Sequence, residues 1–95
     1  MIYDMIKMLR EDAGYSQTQL AKELGISRSA VNAWEMGLST PTTQYVVELA
    51  KLFHVSTDYL LELETERHII LREYNQQEIN LIYALLKYID ESKTR

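Results

Sequence analysis

The sequence predicts an all-α protein, in which a unit of five short helices is followed by one longer amphipathic helix. Apolar residues recur at helical spacings of three and four positions along most of the chain. Polar residues that favour helix N-termini precede these segments, and glycines follow several of them. The apolar triplet Ile69–Leu71 is the exception, because so short a run fits a strand near residues 68–72 as well as a helix.

The first two helices have clear start and stop residues. The apolar spacing predicts a helix over residues 2–13, and Gly14 ends it. Ser16 caps a second helix, and Gln19 supplies the other half of a capping box. Gly25 ends this helix and favours a left-handed conformation, so the chain is expected to turn tightly there.

A third helix follows this turn, with Ser27 as its N-cap and a predicted span from Arg28 to Glu35. Its inward face is apolar and consists of Ala30, Val31 and Trp34. Its outward face has no acidic and no bulky apolar side chain and consists of Arg28, Ser29, Asn32 and Ala33. Two short helices joined by such a turn form a helix-turn-helix unit, whose second helix enters the major groove of DNA.

Three more helices are predicted beyond Gly37. Thr42 caps the fourth helix and Ser56 caps the short fifth helix. The sixth begins after Asn75, because Asn75 and Glu78 have the spacing of a capping box. Four residues of this helix follow a heptad-like spacing, namely Ile79, Ile82, Leu86 and Ile89. A helix this apolar must bury one face, on its own domain or on a second copy of the chain, and we expect two identical chains to pair through these residues.

The composition argues against several classes of protein. The chain has no cysteine, and its two histidines lack a ligand-like spacing, so no metal or cofactor is expected. It shows no nucleophile–base pair and no Gly-rich phosphate loop, so an enzyme is not expected. It has neither a signal peptide nor an apolar run of membrane-spanning length, which predicts a cytoplasmic protein without membrane contact.

The net charge of −4 is unusual for a protein that binds nucleic acid. Residues 1–61 and residues 62–95 each carry five Lys and Arg against seven Asp and Glu, so the acidity is not confined to a tail. Affinity depends on the cations that lie near phosphates, and backbone N–H groups at helix N-termini also bind phosphates. The acidic balance therefore does not exclude DNA binding.

Residues 2–61 resemble the DNA-binding domain of the phage-repressor-type (Xre) family of helix-turn-helix proteins. The matching elements occur in order along about two-thirds of the chain: Ile6-(x)2-Leu9-Arg10, Ser16-Gln17-(x)2-Leu20-Ala21, Leu24-Gly25-Ile26-Ser27, Val31-(x)2-Trp34-Glu35-(x)-Gly37, Pro41, Leu49-Ala50 and Val55-Ser56-(x)-Asp58-Tyr59-Leu60-Leu61. The resemblance implies a DNA-binding domain at residues 1–61 and an extension at residues 62–95 that serves for dimerisation. It also implies a sequence-specific transcriptional repressor that binds a pseudo-palindromic operator in double-stranded DNA as a homodimer.

The resemblance, together with side-chain chemistry, predicts the DNA contacts. Arg28, at the start of the recognition helix, is expected to bond a guanine through O6 and N7. The other outward residues are candidates for further base contacts: Ser29, Asn32 and Ala33. Four residues are expected at phosphates: Gln17, Ser27, Ser39 and Thr40. In similar domains an Arg of the first helix pairs with a Glu at the end of the recognition helix, which implies a structural ion pair between Arg10 and Glu35.

Two alternatives to a repressor stay open. In the first, the chain is the antitoxin of a toxin–antitoxin pair, with the same domain on DNA and the C-terminal segment on a protein partner. The apolar and acidic character of residues 62–95 suits that role. In the second, the chain is a protein-interaction module without DNA binding, which its negative net charge would fit.

Overall fold

The computed structural model describes residues 1–93, which form six α-helices. They are α1 (Ile2–Asp12), α2 (Gln17–Leu24), α3 (Arg28–Glu35), α4 (Thr43–Leu52), α5 (Thr57–Leu60) and α6 (Gln76–Lys93). The all-α prediction is confirmed, and residues 1–93 contain no strand. The alternative of a strand near residues 68–72 is not realised, because a strand needs a neighbouring strand and the described residues provide none. Residues 94 and 95, the end of the predicted extension, lie outside the described part of the chain.

The two predicted capping boxes are both present. The Ser16 hydroxyl accepts from the Gln19 N–H at 3.0 Å, and the Gln19 side chain accepts from the Ser16 N–H at 2.8 Å. The Asn75 side chain likewise accepts from the Glu78 N–H at 2.8 Å, and the Glu78 carboxylate accepts from the Asn75 N–H at 2.9 Å. These bonds satisfy backbone donors that the first turn of a helix leaves free, so they fix where α2 and α6 begin.

The other helix ends follow the predicted residues closely. Ser27 and Ser56 each accept a backbone N–H three residues on, whereas Thr42 occupies its N-cap position without a side-chain bond. Gly25 ends α2 with φ 70°, a left-handed conformation that glycine adopts without steric cost. Helix α1 ends at Asp12, one residue before the predicted end.

Helices α1 to α5 enclose one core. Its buried apolar residues are Ile6, Leu9, Leu20, Ala21, Val31, Trp34, Val46, Leu49, Ala50, Phe53, Val55 and Leu60. Trp34 is part of this core and lies against Tyr45, with ring centroids 5.6 Å apart. Helix α6 contributes no buried residue. The core therefore belongs to the N-terminal five-helix unit, and α6 lies outside it.

Two further properties of residues 1–93 concern possible sites. None of the helices in this range has both the length and the apolar character that a membrane crossing requires. The same residues include no group of three or more His, Asp or Glu side chains that could hold a metal ion.

Candidate nucleic-acid interface

Helices α2 and α3 pack together across the turn at Gly25 and present the N-terminal end of α3 at the surface. Three of the predicted base-contacting residues are exposed, namely Arg28, Ser29 and Asn32, and Ala33 is half-buried. The α3 N-cap, Ser27, is also exposed, and its hydroxyl accepts from the Ala30 N–H at 3.1 Å. The Ser27 hydroxyl oxygen thus accepts a hydrogen bond within the helix, and the same hydroxyl can still donate its hydrogen to an acceptor outside the protein.

The Arg10 guanidinium of α1 binds the Glu35 carboxylate at the end of α3. Arg10 Nε lies 2.6 Å from Glu35 Oε2, and Nη2 lies 2.9 Å from Oε1, so the contact is bidentate. Arg10 also donates to the Tyr15 carbonyl at 2.8 Å. The side chains of Arg10 and Glu35 are only 10% and 3% exposed. A buried, charge-assisted pair of this geometry fixes the C-terminal end of α3 against α1.

Gln17 adds a third member to this contact, which the sequence reasoning did not identify. Its side-chain nitrogen donates to Glu35 Oε1 at 3.1 Å and to Asn32 Oδ1 at 3.3 Å. Burial raises the pKa of the Glu35 carboxyl, but the hydrogen bonds from Arg10 and Gln17 outweigh it and hold that pKa below its usual value. Glu35 is therefore ionised at neutral pH and forms the centre of a network that joins α1, α2 and α3.

The same network orients Asn32. Because Asn32 Oδ1 accepts from Gln17, the Nδ2 amide group is the part of this side chain without a partner in residues 1–93. An NH2 group can donate to the acceptors N7 and O6 that purines present in the major groove. The spacing of Gln17 and Asn32, fifteen positions apart in the sequence, gives no local signal for this contact.

The loop after α3 is held close to the C-terminal end of that helix. The N–H groups of Leu38 and Ser39 both donate to the Ala33 carbonyl, at 2.9 and 3.3 Å. Gly37 has φ 73°, a left-handed conformation that favours glycine, and the Tyr3 ring packs against it. Ser39 and Thr40, the predicted phosphate contacts of this loop, are exposed.

The charge of the α3 surface differs in sign from that of the whole chain. Glu35 is the only acidic residue of α3, and its charge is buried and paired with Arg10. Arg28 is exposed and has no carboxylate partner among residues 1–93. The outward face of α3 therefore carries one unpaired positive charge and no acid, whatever the net charge elsewhere.

A helix-turn-helix family model matches residues 6–60, which is more than half of the chain and all of its core. The chain belongs to the helix-turn-helix family. This confirms the resemblance to Xre-type proteins that the motifs indicate. The match begins within α1 and ends at the last residue of α5, so the family region is the five-helix unit.

Relatives in the helix-turn-helix family are HTH-type transcriptional regulators. YonR, an SPbeta prophage-derived regulator of Bacillus subtilis strain 168, is 30% identical over 102 residues, covering 92% of this chain and 94% of YonR. ImmR of the same organism is 38% identical over 56 residues, covering 59% of this chain and 44% of ImmR. SinR, also of B. subtilis strain 168, is 33% identical over 69 residues, covering 72% of this chain and 60% of SinR. The chain thus spans nearly all of YonR but less than half of ImmR.

A solved structure of the SinR protein/SinI protein complex has the same fold. The alignment covers all of both chains with a TM-score of 0.61 and 24% sequence identity. The family match and the named relatives together support DNA-binding regulation of transcription as the general function.

Proposed function

We propose that this protein is a sequence-specific transcriptional repressor, which binds a pseudo-palindromic operator in double-stranded DNA as a homodimer. The observation that carries the proposal is the outward face of α3, where Arg28 is exposed and unpaired while the only acid of the helix is buried. A helix with this face can enter the major groove without repulsion from the phosphates. No catalytic activity is part of the proposal, and the cytoplasmic location expected from the sequence remains a prediction.

Arg28 is the proposed main reader of sequence, through a bidentate contact to guanine O6 and N7. Asn32 follows one helical turn later, and its Nδ2 group would donate to a purine acceptor of a neighbouring base pair. Ser29 and Ala33 complete the set, with a hydroxyl for polar base edges and a methyl group for a thymine. The Arg10–Glu35–Gln17 network supports this set because it holds α3 at a fixed angle to α1 and α2.

The proposed phosphate contacts surround that face. Ser27 would donate its free O–H, and Ser39 and Thr40 would do so from the loop after α3. Gln17 would have to exchange its longer bond, the 3.3 Å contact with Asn32, for a phosphate oxygen, or contact the phosphate through its backbone N–H at the start of α2. In the first case, binding DNA through the Gln17 side chain would also affect the orientation of Asn32.

A second copy of the chain is the proposed occupant of the apolar face of α6. The four residues of α6 with heptad-like spacing are partly covered. Ile79 and Ile82 are half-buried, and Leu86 and Ile89 are 46% and 38% exposed. A second row is more exposed still, namely Leu81 at 72%, Leu85 at 59% and Tyr88 at 69%. Pairing around a two-fold axis would bury these rows and present two α3 helices to two half-sites. A different protein partner on this face is the antitoxin alternative.

Selection of bound duplexes from a randomised DNA pool tests the proposal, with the wild type, Arg28→Ala and Lys87→Ala in parallel. Lys87→Ala is the matched control, because it removes one exposed positive charge from α6 rather than from α3. We expect an inverted repeat for the wild type and the control, and lost discrimination at one symmetric pair of positions for Arg28→Ala, by about 1–3 kcal/mol. Uniform weakening across sequences would make Arg28 a phosphate contact, and no enrichment by the wild type at low salt would overturn the proposal.

A further inference from the structure

His54 has an unusual backbone conformation for its residue type. It follows the C-terminal end of α4 with φ 56°, at the left-handed position where glycine is the usual residue. Its N–H donates to the Lys51 carbonyl at 3.3 Å, and the next N–H, of Val55, donates to the Ala50 carbonyl at 3.0 Å. A histidine is strained here relative to glycine, and His54 makes further interactions at this position.

Those interactions all reach the segment that leads to α6. The Ile70 N–H donates to the His54 carbonyl at 2.9 Å, and His54 Nδ1 lies 3.3 Å from the Ile70 carbonyl oxygen. The Tyr74 hydroxyl lies 3.2 Å from His54 Nε2. Because a carbonyl can only accept, Nδ1 carries a proton, and in the neutral imidazole Nε2 then accepts from the Tyr74 hydroxyl. We refer to His54, Ile70 and Tyr74 with these three contacts as the His54 clasp.

The His54 clasp ends directly at the start of α6. Tyr74 precedes Asn75, whose capping box with Glu78 begins that helix. The His54 clasp thus links the C-terminal end of α4 to the residue that directly precedes the capping box of α6. These contacts lie at the joint between the five-helix unit and α6, where they bear on the direction of α6.

Few other hydrogen bonds or ion pairs join the segment before α6 to the five-helix unit. Earlier contacts of the connecting segment, Ser56 with Glu64 and Asp12 with Arg67, end before residue 68. Within residues 68–90, every hydrogen bond or ion pair to the five-helix unit involves His54. A cavity of about 580 Å³ is lined by residues of α4 and α5 and by four residues of the segment that leads to α6, namely Ile70, Arg72, Glu73 and Tyr74.

We propose that the His54 clasp sets the distance between the two operator half-sites that the homodimer accepts. This rests on the proposed function, in which two copies pair through α6. In such a dimer, the separation of the two α3 helices depends on the angle between each α6 and its own five-helix unit. A rigid joint selects one spacing, whereas a flexible joint accepts several because the units reorient before binding.

The test on DNA uses duplexes with two copies of the selected half-site, separated by spacers that grow one base pair at a time over about one helical turn, or about 10 base pairs. His54→Gly removes the imidazole and suits the left-handed backbone, and Tyr74→Phe removes only the hydroxyl. Tyr83→Phe is the control, because it removes an exposed hydroxyl within α6 itself. We expect the preference of the wild type for its best spacing to fall by about tenfold in both clasp variants, with the half-site sequence unchanged.

A second measurement needs no DNA. The chain has no cysteine, so Thr18→Cys and Lys87→Cys introduce two exposed sites for spin labels, one in the five-helix unit and one in α6. Double electron–electron resonance on labelled chain diluted with unlabelled chain reports the distance between them. We expect a narrow distribution for the wild type and the Tyr83→Phe control, and a broad one for His54→Gly and Tyr74→Phe.

The outcomes separate this proposal from the proposed function. Broadened spacing and a broadened label distance in both clasp variants support it. An unchanged spacing preference overturns it while half-site recognition still stands, even when the label distance broadens. No half-site for the wild type overturns both. Thermal melting of each variant checks that it folds. When His54→Gly does not fold, the result for Tyr74→Phe, which deletes only one oxygen, decides whether the clasp sets the spacing.

Discussion

Glu35 is the residue on which three helices depend, because its buried carboxylate accepts hydrogen bonds from Arg10 and from Gln17. We expect Glu35→Gln to lower the free energy of unfolding by about 3 kcal/mol at neutral pH, since the buried Arg10 would keep only the exposed Glu11 carboxylate, 3.8 Å away, as a counter-charge. The pKa of Glu35 is lowered in the folded protein, so its stabilising effect is present above the ordinary value of 4.5 and is lost as pH falls through the folded pKa.

Urea denaturation across this pH range measures the effect. The difference in unfolding free energy between wild type and Glu35→Gln should shrink below pH 4.5, because the wild type also loses its carboxylate charge. Glu23→Gln serves as the control, since Glu23 is an exposed carboxylate of α2 without an ion-pair partner in residues 1–93. A difference that stays constant with pH would contradict the assignment of this effect to the Glu35 charge.

The residue scale also shows which contacts a sequence can reveal. The contact of Arg10 with Glu35 follows from the family motif, and the role expected of Arg28 follows from its residue type and place in that motif. The contact of Gln17 with Asn32 depends on how α2 and α3 cross, so no local pattern encodes it. The phosphate role predicted for Gln17 stays a prediction, and the structure adds that this side chain already has two partners.

At the scale of the helices, α6 allows a direct test of the proposed homodimer. Leu86→Glu places a charge on the apolar face, and we expect it to convert a homodimer into a monomer, because the charge would be desolvated at the interface. Asn80→Glu is the matched control, since at about 100° per residue Asn80 lies on the opposite side of the helix. Sedimentation of the three proteins measures the change, and a Leu86→Glu protein that remains dimeric would place the interface elsewhere.

The first residues of the helices could be predicted from the sequence, whereas the conformation of the segment between α5 and α6 could not. Capping boxes at Ser16 and Asn75 involve residues three positions apart, so the sequence alone indicates them. The sequence fits either a helix or a strand near residues 68–72, and the chain forms neither there. Its shape depends on hydrogen bonds to His54, sixteen and twenty positions away in the sequence, which periodicity does not register.

At the scale of the whole molecule, the negative charge should limit how strongly binding responds to salt. Arg28 is the only cation of α3, and the loop at residues 36–40 has none. We therefore expect the logarithm of the operator affinity to fall with the logarithm of salt concentration at a slope no steeper than about −4 for the dimer. Fluorescence anisotropy between about 50 and 200 mM salt measures it, and a slope near −10 would mean that other Lys and Arg side chains contact the phosphates.

The division of the chain at residue 61 is a whole-molecule prediction that remains to be tested. The core and the family match both end at Leu60, which agrees with a boundary there. The sequence indicates which helix is too apolar to stay uncovered, but a single chain holds no information on what covers it. The occupant of the α6 face is consequently a property of the assembly.

The exposed face of α6 also has a consequence for the cell. When pairing is what covers that face, the amount of DNA-binding dimer varies with the square of the chain concentration below the dimer dissociation constant. Each cell division that dilutes the protein twofold would then reduce the dimer about fourfold. Silencing by such a protein would end abruptly over a few generations once synthesis stops, and the pairing of α6 would set how fast it ends.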